Sequence, residues 1–240
     1  MRVYVNEITG IDDAITTMYF SKGSWTKELD DDIRKLCTRI NDRRGCVRDD
    51  VDVDDYKRYK DLINRLVKWG THHVTMLRFI DISITVEGLH RAGQDDWDAH
   101  AARYGNRIIR ASSRLQTLEC NLSEWYDDKA ITTDKALKEA GITKPESLII
   151  EGEKYVASPG GYVKEEYARN KDVMRGLYPL GFPSNFIFRV NLTEYAHVYK
   201  MRKNKSGANP EVSLLAETIC DQLENMQSWI TRDLLERIEN

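Results

Sequence analysis

The chain has 240 residues, 41% of them hydrophobic, which is enough to bury one substantial core, and no long polar tract divides it, so a single domain over 1–240 is expected. A net charge of -3 gives no general attraction to a nucleic-acid polymer or an anionic membrane, so any anion must be bound by local clusters of basic side chains. Met1-Arg2-Val3-Tyr4-Val5 soon meets Glu7, Asp12 and Asp13, and no apolar run approaches membrane-spanning length, so the expected location is the cytoplasm.

In chain order, Arg2 to Val5 reads as a strand. Asp12-Asp13 opens a first helix, and Thr26 caps a second in which Leu29, Ile33, Leu36, Cys37 and Ile40 recur at helical spacing before Gly45 ends it. Tyr56, Tyr59, Leu62, Ile63, Leu66 and Val67 mark a third helix that Gly70 stops. From Leu77 to Val86 the period changes to two, with Ile80, Ile82, Ile84 and Val86 alternating against Phe79, Asp81, Ser83 and Thr85, which predicts a half-buried strand. A helix is expected from Glu87-Gly88 through Trp97 and Ala101, with Asp95-Asp96-Trp97-Asp98 on its solvated face. Thr132-Thr133-Asp134 caps a short helix, and Ser158-Pro159-Gly160-Gly161 is the clearest loop, read as a mobile edge of a site. Val173 to Gly176 is helical and Asn185 to Val190 extended; Leu192 to Met201, Pro210 to Leu223 and Met226 to Ile238 are predicted helices. Strands mixed with segregated helices predict an α+β fold, an antiparallel or mixed sheet packed with helices.

The four cysteines, Cys37, Cys46, Cys120 and Cys220, form no CxxC pair and have no histidines at metal-ligand spacing, so reduced structural thiols are expected and no metal site. No motif supplies an activated thiol for covalent catalysis through a cysteine adduct.

Chemistry is carried instead by separated segments: His73-Val74-Thr75, Glu87 to Ala92, Ser112-Ser113-Arg114, Arg175 to Leu180 and Asn191 to Arg202. A serine and three arginines in this order suit a nucleoside monophosphate, since guanidinium groups bind both a doubly charged phosphate and a polarisable pyrimidine carbonyl. In order and spacing these segments resemble the ligand-binding segments of flavin-dependent thymidylate synthases, from about His73 to Glu211. In that family a histidine and a hydroxyl residue two apart precede a long strand and contact the flavin, where His73 and Thr75 stand here. Glu87-Gly88-Leu89-His90-Arg91-Ala92 is similar to the family's Glu-Gly-x-Ser-Arg-Ala, with His90 in the serine's place. Ser112, Ser113 and Arg114 fit the end of the RHRxxSxNxxSxR motif and would bind the dUMP phosphate, as would Arg175, which precedes Pro179 at the family spacing. Asn191 and His197 take flavin positions, and Arg202 takes that of the arginine that reaches the pyrimidine.

The signature motif itself departs from the pattern. Aligned without a gap from Glu87, Ala99-His100-Ala101 stands for Arg-His-Arg, and His100 and Asn106 keep the motif's interval; aligned from the Ser-x-Arg end, Ala102-Arg103-Tyr104 stands there instead. Thr193 replaces a flavin-binding arginine, and Ala208-Asn209-Pro210-Glu211-Val212 stands for Ala-Gln-x-Glu-Ile. Arg103, Arg107 and Arg110 are the candidates for replacement charge. The resemblance implies methylation of dUMP at C5 with FAD as cofactor, NADPH and methylenetetrahydrofolate as co-substrates, and a homotetramer. Arg202 would be the catalytic residue, stabilising negative charge on the pyrimidine oxygen. Two alternatives stay open: another C5 modification of a pyrimidine deoxynucleotide on the same fold, and a nucleotide-binding homologue without flavin chemistry.

Overall fold

A computed structural model of the chain describes residues 1–101, 107–111, 122–126, 128–158, 160–170, 173–174, 176–203 and 209–238, with the side chains of His100 and Ala101 outside the description. Contacts divide it into two compact units, the first comprising Met1–Arg2, Val86–Asp95 and Arg110–Phe186 and the second Val3–Thr85, Asp96–Ile109 and Ile187–Asn240. The mixed helix and strand content agrees with the α+β class expected. Strands β1 (Arg2–Thr9), β2 (Asp81–His90), β7 (Pro183–Asn191) and β3 (Arg107–Arg110) form one sheet in the order β1-β2-β7-β3.

The second unit holds most of the helices. Helices α1 (Ile11–Ser21), α2 (Lys27–Ile40) and α3 (Val53–Gly70) pack on one another. Most of the predicted stripe residues are buried, Ile33, Leu36, Cys37 and Ile40 on α2 and Tyr59, Leu62, Ile63 and Leu66 on α3, whereas Leu29 and Val67 are half-buried and Tyr56 is exposed. Thr26 caps α2 by accepting from the Leu29 N–H at 3.2 Å. Gly10 turns β1 into α1 at φ +79°, where a Cβ would lie 2.0 Å from the Phe79 carbonyl oxygen, so the close approach demands glycine twice over. Helices α6 (Leu192–Arg202), α7 (Pro210–Met226) and α8 (Arg232–Arg237) follow β7. The expected helix from Met226 to Ile238 is therefore shorter. Gln227 interrupts it because its fully buried amide is a junction, accepting from the Tyr59 hydroxyl at 2.9 Å and the Trp229 indole at 2.8 Å, and donating to Asn41 Oδ1 at 2.8 Å and the Gly45 carbonyl at 2.6 Å.

Residues 74–79 are not strand. They form a 3-10 helix that buries Met76 and Leu77 and exposes Thr75, Arg78 and Phe79. The alternation of a strand sets in at Ile80, and Ile80, Ile82, Ile84 and Val86 are all fully buried.

β2 runs past Glu87-Gly88 to His90, where a helix start was expected. Gly88 keeps the strand going at φ +78°, its N–H donating to Asn185 Oδ1 at 2.9 Å. His90 is fully buried against Trp125, with ring centroids 6.4 Å apart, and against Tyr126 at 5.2 Å. Helix α4 (Arg91–Ala101) starts only after it, the Arg91 and Ala92 N–H groups donating to the Phe182 and Leu180 carbonyls at 2.8 and 3.0 Å in place of a side-chain cap.

Elsewhere in the first unit Thr132 caps α5 (Thr133–Glu139) as expected. The antiparallel strands β4 (Ser147–Ile150), β5 (Glu153–Ser158) and β6 (Gly161–Lys164) form a second sheet that the sequence did not announce. Ser158 pairs with Gly161 where β5 gives way to β6, with Gly160 at φ +85°, and Pro159 lies outside the described residues.

Candidate functional site

Helix α6 carries the residues on which the second unit converges. Asn191 caps it: its Oδ1 accepts from the Thr193 and Glu194 N–H groups at 3.1 and 3.0 Å and from the Thr193 hydroxyl at 2.7 Å, while the Glu194 carboxylate accepts from the Asn191 N–H, closing a capping box. Eight of its residues are buried, among them Thr193, Glu194 and Arg202, because α6 packs against α7, α8 and the 3-10 helix Val74–Phe79. Burial pushes the Glu194 carboxyl up, and nearby Asp81 adds to this, while the Asn191 N–H, Arg78 and Arg107 oppose it.

At the other end of α6, Arg202 is 9% exposed. One terminal nitrogen donates to Asp96 Oδ1 at 2.7 Å, and its contact with the Asp96 carbonyl, at 3.5 Å, is long. The Arg202 Nε–H is buried and has no hydrogen-bond partner. Such a group costs roughly 1–3 kcal/mol when left unmet, so the cation is held in place with a donor still to satisfy. Trp97, next to Asp96, is buried edge-on against Phe188 with centroids 5.4 Å apart, and its indole N–H likewise lacks an acceptor. The stretch Asp95 to Asp98 is thus not a simple solvated face: Asp95 is exposed, Asp96 holds Arg202, and Trp97 belongs to the core.

His73 and Thr75 are both exposed at the start of the 3-10 helix, which packs on α6. The His73 ring stacks on Trp69 at the end of α3, with centroids 5.9 Å apart and planes 20° apart, and the Lys22 ammonium stands 3.9 Å over the same indole. His197 is half-buried on α6.

Of the candidate replacement charges, Arg107 pairs with Asp81 at 2.7 Å and Arg110 with Asp95 at 3.0 Å. Ser112, Ser113, Arg114, Arg175, Arg103 and Asn106, and the side chain of His100, lie outside the described residues. Asp96, Trp97 and Trp69 were missed from the sequence. The Trp69 to His73 interval of four residues was a legible signal, whereas Asp96 and Arg202 are 106 residues apart and have none.

Burial pushes the Cys37 thiol up to about 12 and the Cys220 thiol up to about 11, and raises that of Cys46, so none of these is poised as a nucleophile. Among the described residues no cluster of His, Cys, Asp or Glu could hold a metal ion, and no helix is long and apolar enough to cross a membrane.

The family described as Thymidylate synthase complementing protein matches residues 23–227. Among solved structures the chain is similar to Thymidylate Synthase X from Helicobacter pylori with FAD and dUMP, at 16% identity, with 98% of this chain and 100% of that one covered and a TM-score of 0.57. A second Helicobacter pylori structure, a flavin dependent thymidylate synthase complexed with FAD and dUMP, gives 13% identity, full coverage of both chains and a TM-score of 0.55. Among curated proteins nothing matches the chain.

Proposed function

The chain belongs to the thymidylate synthase complementing protein family, and from that premise we propose that it methylates dUMP at C5 as a flavin-dependent thymidylate synthase-like enzyme. The observation that carries this reading is Arg202, a buried cation fixed through one terminal nitrogen and with its Nε–H unmet. A pyrimidine carbonyl oxygen supplies the missing acceptor, and the guanidinium then stabilises the negative charge that develops there during C5 attack. The structures the chain is similar to are described as holding both FAD and dUMP.

The described residues fit FAD by their donor chemistry. His73 and Thr75 present an imidazole and a hydroxyl to solvent on an element packed against α6. The Asn191 oxygen is committed to the helix cap, so its amide nitrogen is the atom it offers a flavin carbonyl. Reduced flavin, when bound, supplies the hydride. His197, and His100, Arg103 and Asn106 in the signature region, would hold FAD, while Ser112, Ser113, Arg114 and Arg175 would hold the phosphate and so fix the base in position. NADPH and methylenetetrahydrofolate complete the reaction as co-substrates. The protein works in the cytoplasm as a homotetramer, without a nucleic-acid polymer or membrane partner.

The test is reconstitution of the purified protein with FAD, dUMP, NADPH and methylenetetrahydrofolate, with complementation of a thymidine-requiring strain beside it. Bound FAD and dTMP formation are expected; a protein that takes up dUMP but no FAD would overturn the proposal.

A further inference from the structure

We propose that Asp96 is a positioning residue for the pyrimidine, aiming Arg202 by holding one end of its guanidinium. The inference rests on the reading of Arg202 as the group that meets dUMP. Its grounds lie in the geometry of the pair. The Arg202 side chain is 10% exposed and that of Asp96 33%, so the contact is largely shielded from water and retains more of its strength than a surface ion pair. The carboxylate takes one terminal nitrogen at 2.7 Å and leaves the Nε–H without an acceptor. A guanidinium is rigid and planar, so fixing one nitrogen fixes the direction of the others.

Two features set this contact apart from a structural ion pair. A purely structural arginine at this burial would be expected to have its donors met within the fold, since unpaired buried donors are rare and costly. The pair also spends only one terminal nitrogen of the guanidinium, since the contact with the Asp96 carbonyl at 3.5 Å is long. A planar ring that carries acceptors, such as a pyrimidine with two carbonyl oxygens, is the ligand class the open Arg202 donor suits. Asp96 does not touch it; it acts through Arg202.

The experiment measures dUMP and inorganic phosphate binding to the FAD-loaded protein by calorimetry, together with KM and kcat, for the wild type, Asp96→Asn, Asp96→Glu, Arg202→Ala and the Asp96→Asn/Arg202→Ala double variant. Asp96→Asn removes a charge-assisted contact, so dUMP affinity should fall about tenfold or more, while phosphate and FAD affinities stay as in the wild type. In the Arg202→Ala background, Asp96→Asn should add nothing further, because its effect passes through the missing guanidinium. Additive losses, or a wild-type dUMP affinity in Asp96→Asn, would overturn the proposal. Should Asp96→Asn not fold, Asp96→Glu keeps the charge but displaces it by one methylene; weakened dUMP binding supports the role and unchanged binding overturns it. A wild-type protein that binds no dUMP refutes the functional reading itself, an outcome distinct from failure of the Asp96 variants alone.

Discussion

At the scale of single residues, Arg202 concentrates the cost and the purpose of the site. A cation taken from water, given one carboxylate and left with a donor unmet is poorly explained by stability alone. Arg202→Ala is expected to cost roughly 1–3 kcal/mol of stability, because it strands a half-buried Asp96, yet to abolish dTMP formation altogether. A thermal melt paired with a turnover assay separates the two effects; retained turnover would remove Arg202 from the mechanism. Glu194 gives a second handle. Its carboxyl is raised chiefly by burial, so the fold favours the neutral form: that contribution is complete below the ordinary carboxylate range and is lost as pH rises through the raised value. Glu194→Gln keeps an acceptor for the capping box and does not titrate. Its stability relative to the wild type should therefore improve as pH rises from the ordinary carboxylate range through the raised value, as read from denaturant midpoints at each pH. A constant difference across that range would show that Glu194 is not raised. The family pattern names His73, Asn191 and Arg202 as candidates from the sequence alone. Asp96 was hidden, because its partner is 106 residues away and charged clusters on helices usually face solvent.

At the scale of elements, helices announced themselves and short strands did not. The stripe Tyr59, Leu62, Ile63, Leu66 and the caps Thr26 and Thr132 follow from local spacing, and the structure has them as read. The strands β4 to β6 are only four to six residues long and bury only Ser158 and Val163, so no alternation of apolar and polar residues betrays them, and their turn at Gly160 reads as a plain loop. The same limit explains the 3-10 helix before β2, whose six residues bury Met76 and Leu77 side by side in an otherwise alternating run. Gly10 anchors that helix to α1 by close backbone approach to Phe79. Gly10→Ala should destabilise the second unit by about 2–4 kcal/mol, combining a strained φ with a clash against a backbone oxygen. Chemical denaturation measures this, and a change below about 1 kcal/mol would mean that the approach is looser than described. Because the same 3-10 helix presents His73 and Thr75, FAD affinity should weaken along with stability.

At the scale of the whole molecule, the α+β class was legible from the mixture of periods, and the family from separated segments whose order outlasts their identity. The candidate site was less so, since its described residues come from α4, the 3-10 helix and both ends of α6. No linker composition marks the division into two compact units, because β2, α4 and β7 each have residues in both. The Gln227 junction has a further bearing on how the protein tolerates shortening. Cutting the chain after Met226 would strand the Tyr59 hydroxyl and the Gly45 carbonyl far inside the helical layer, each without its mate. The segment from Gln227 to Ile238 therefore acts as a keystone: a stop codon at position 227 should yield insoluble material on expression, and soluble, folded protein from that truncation would refute this.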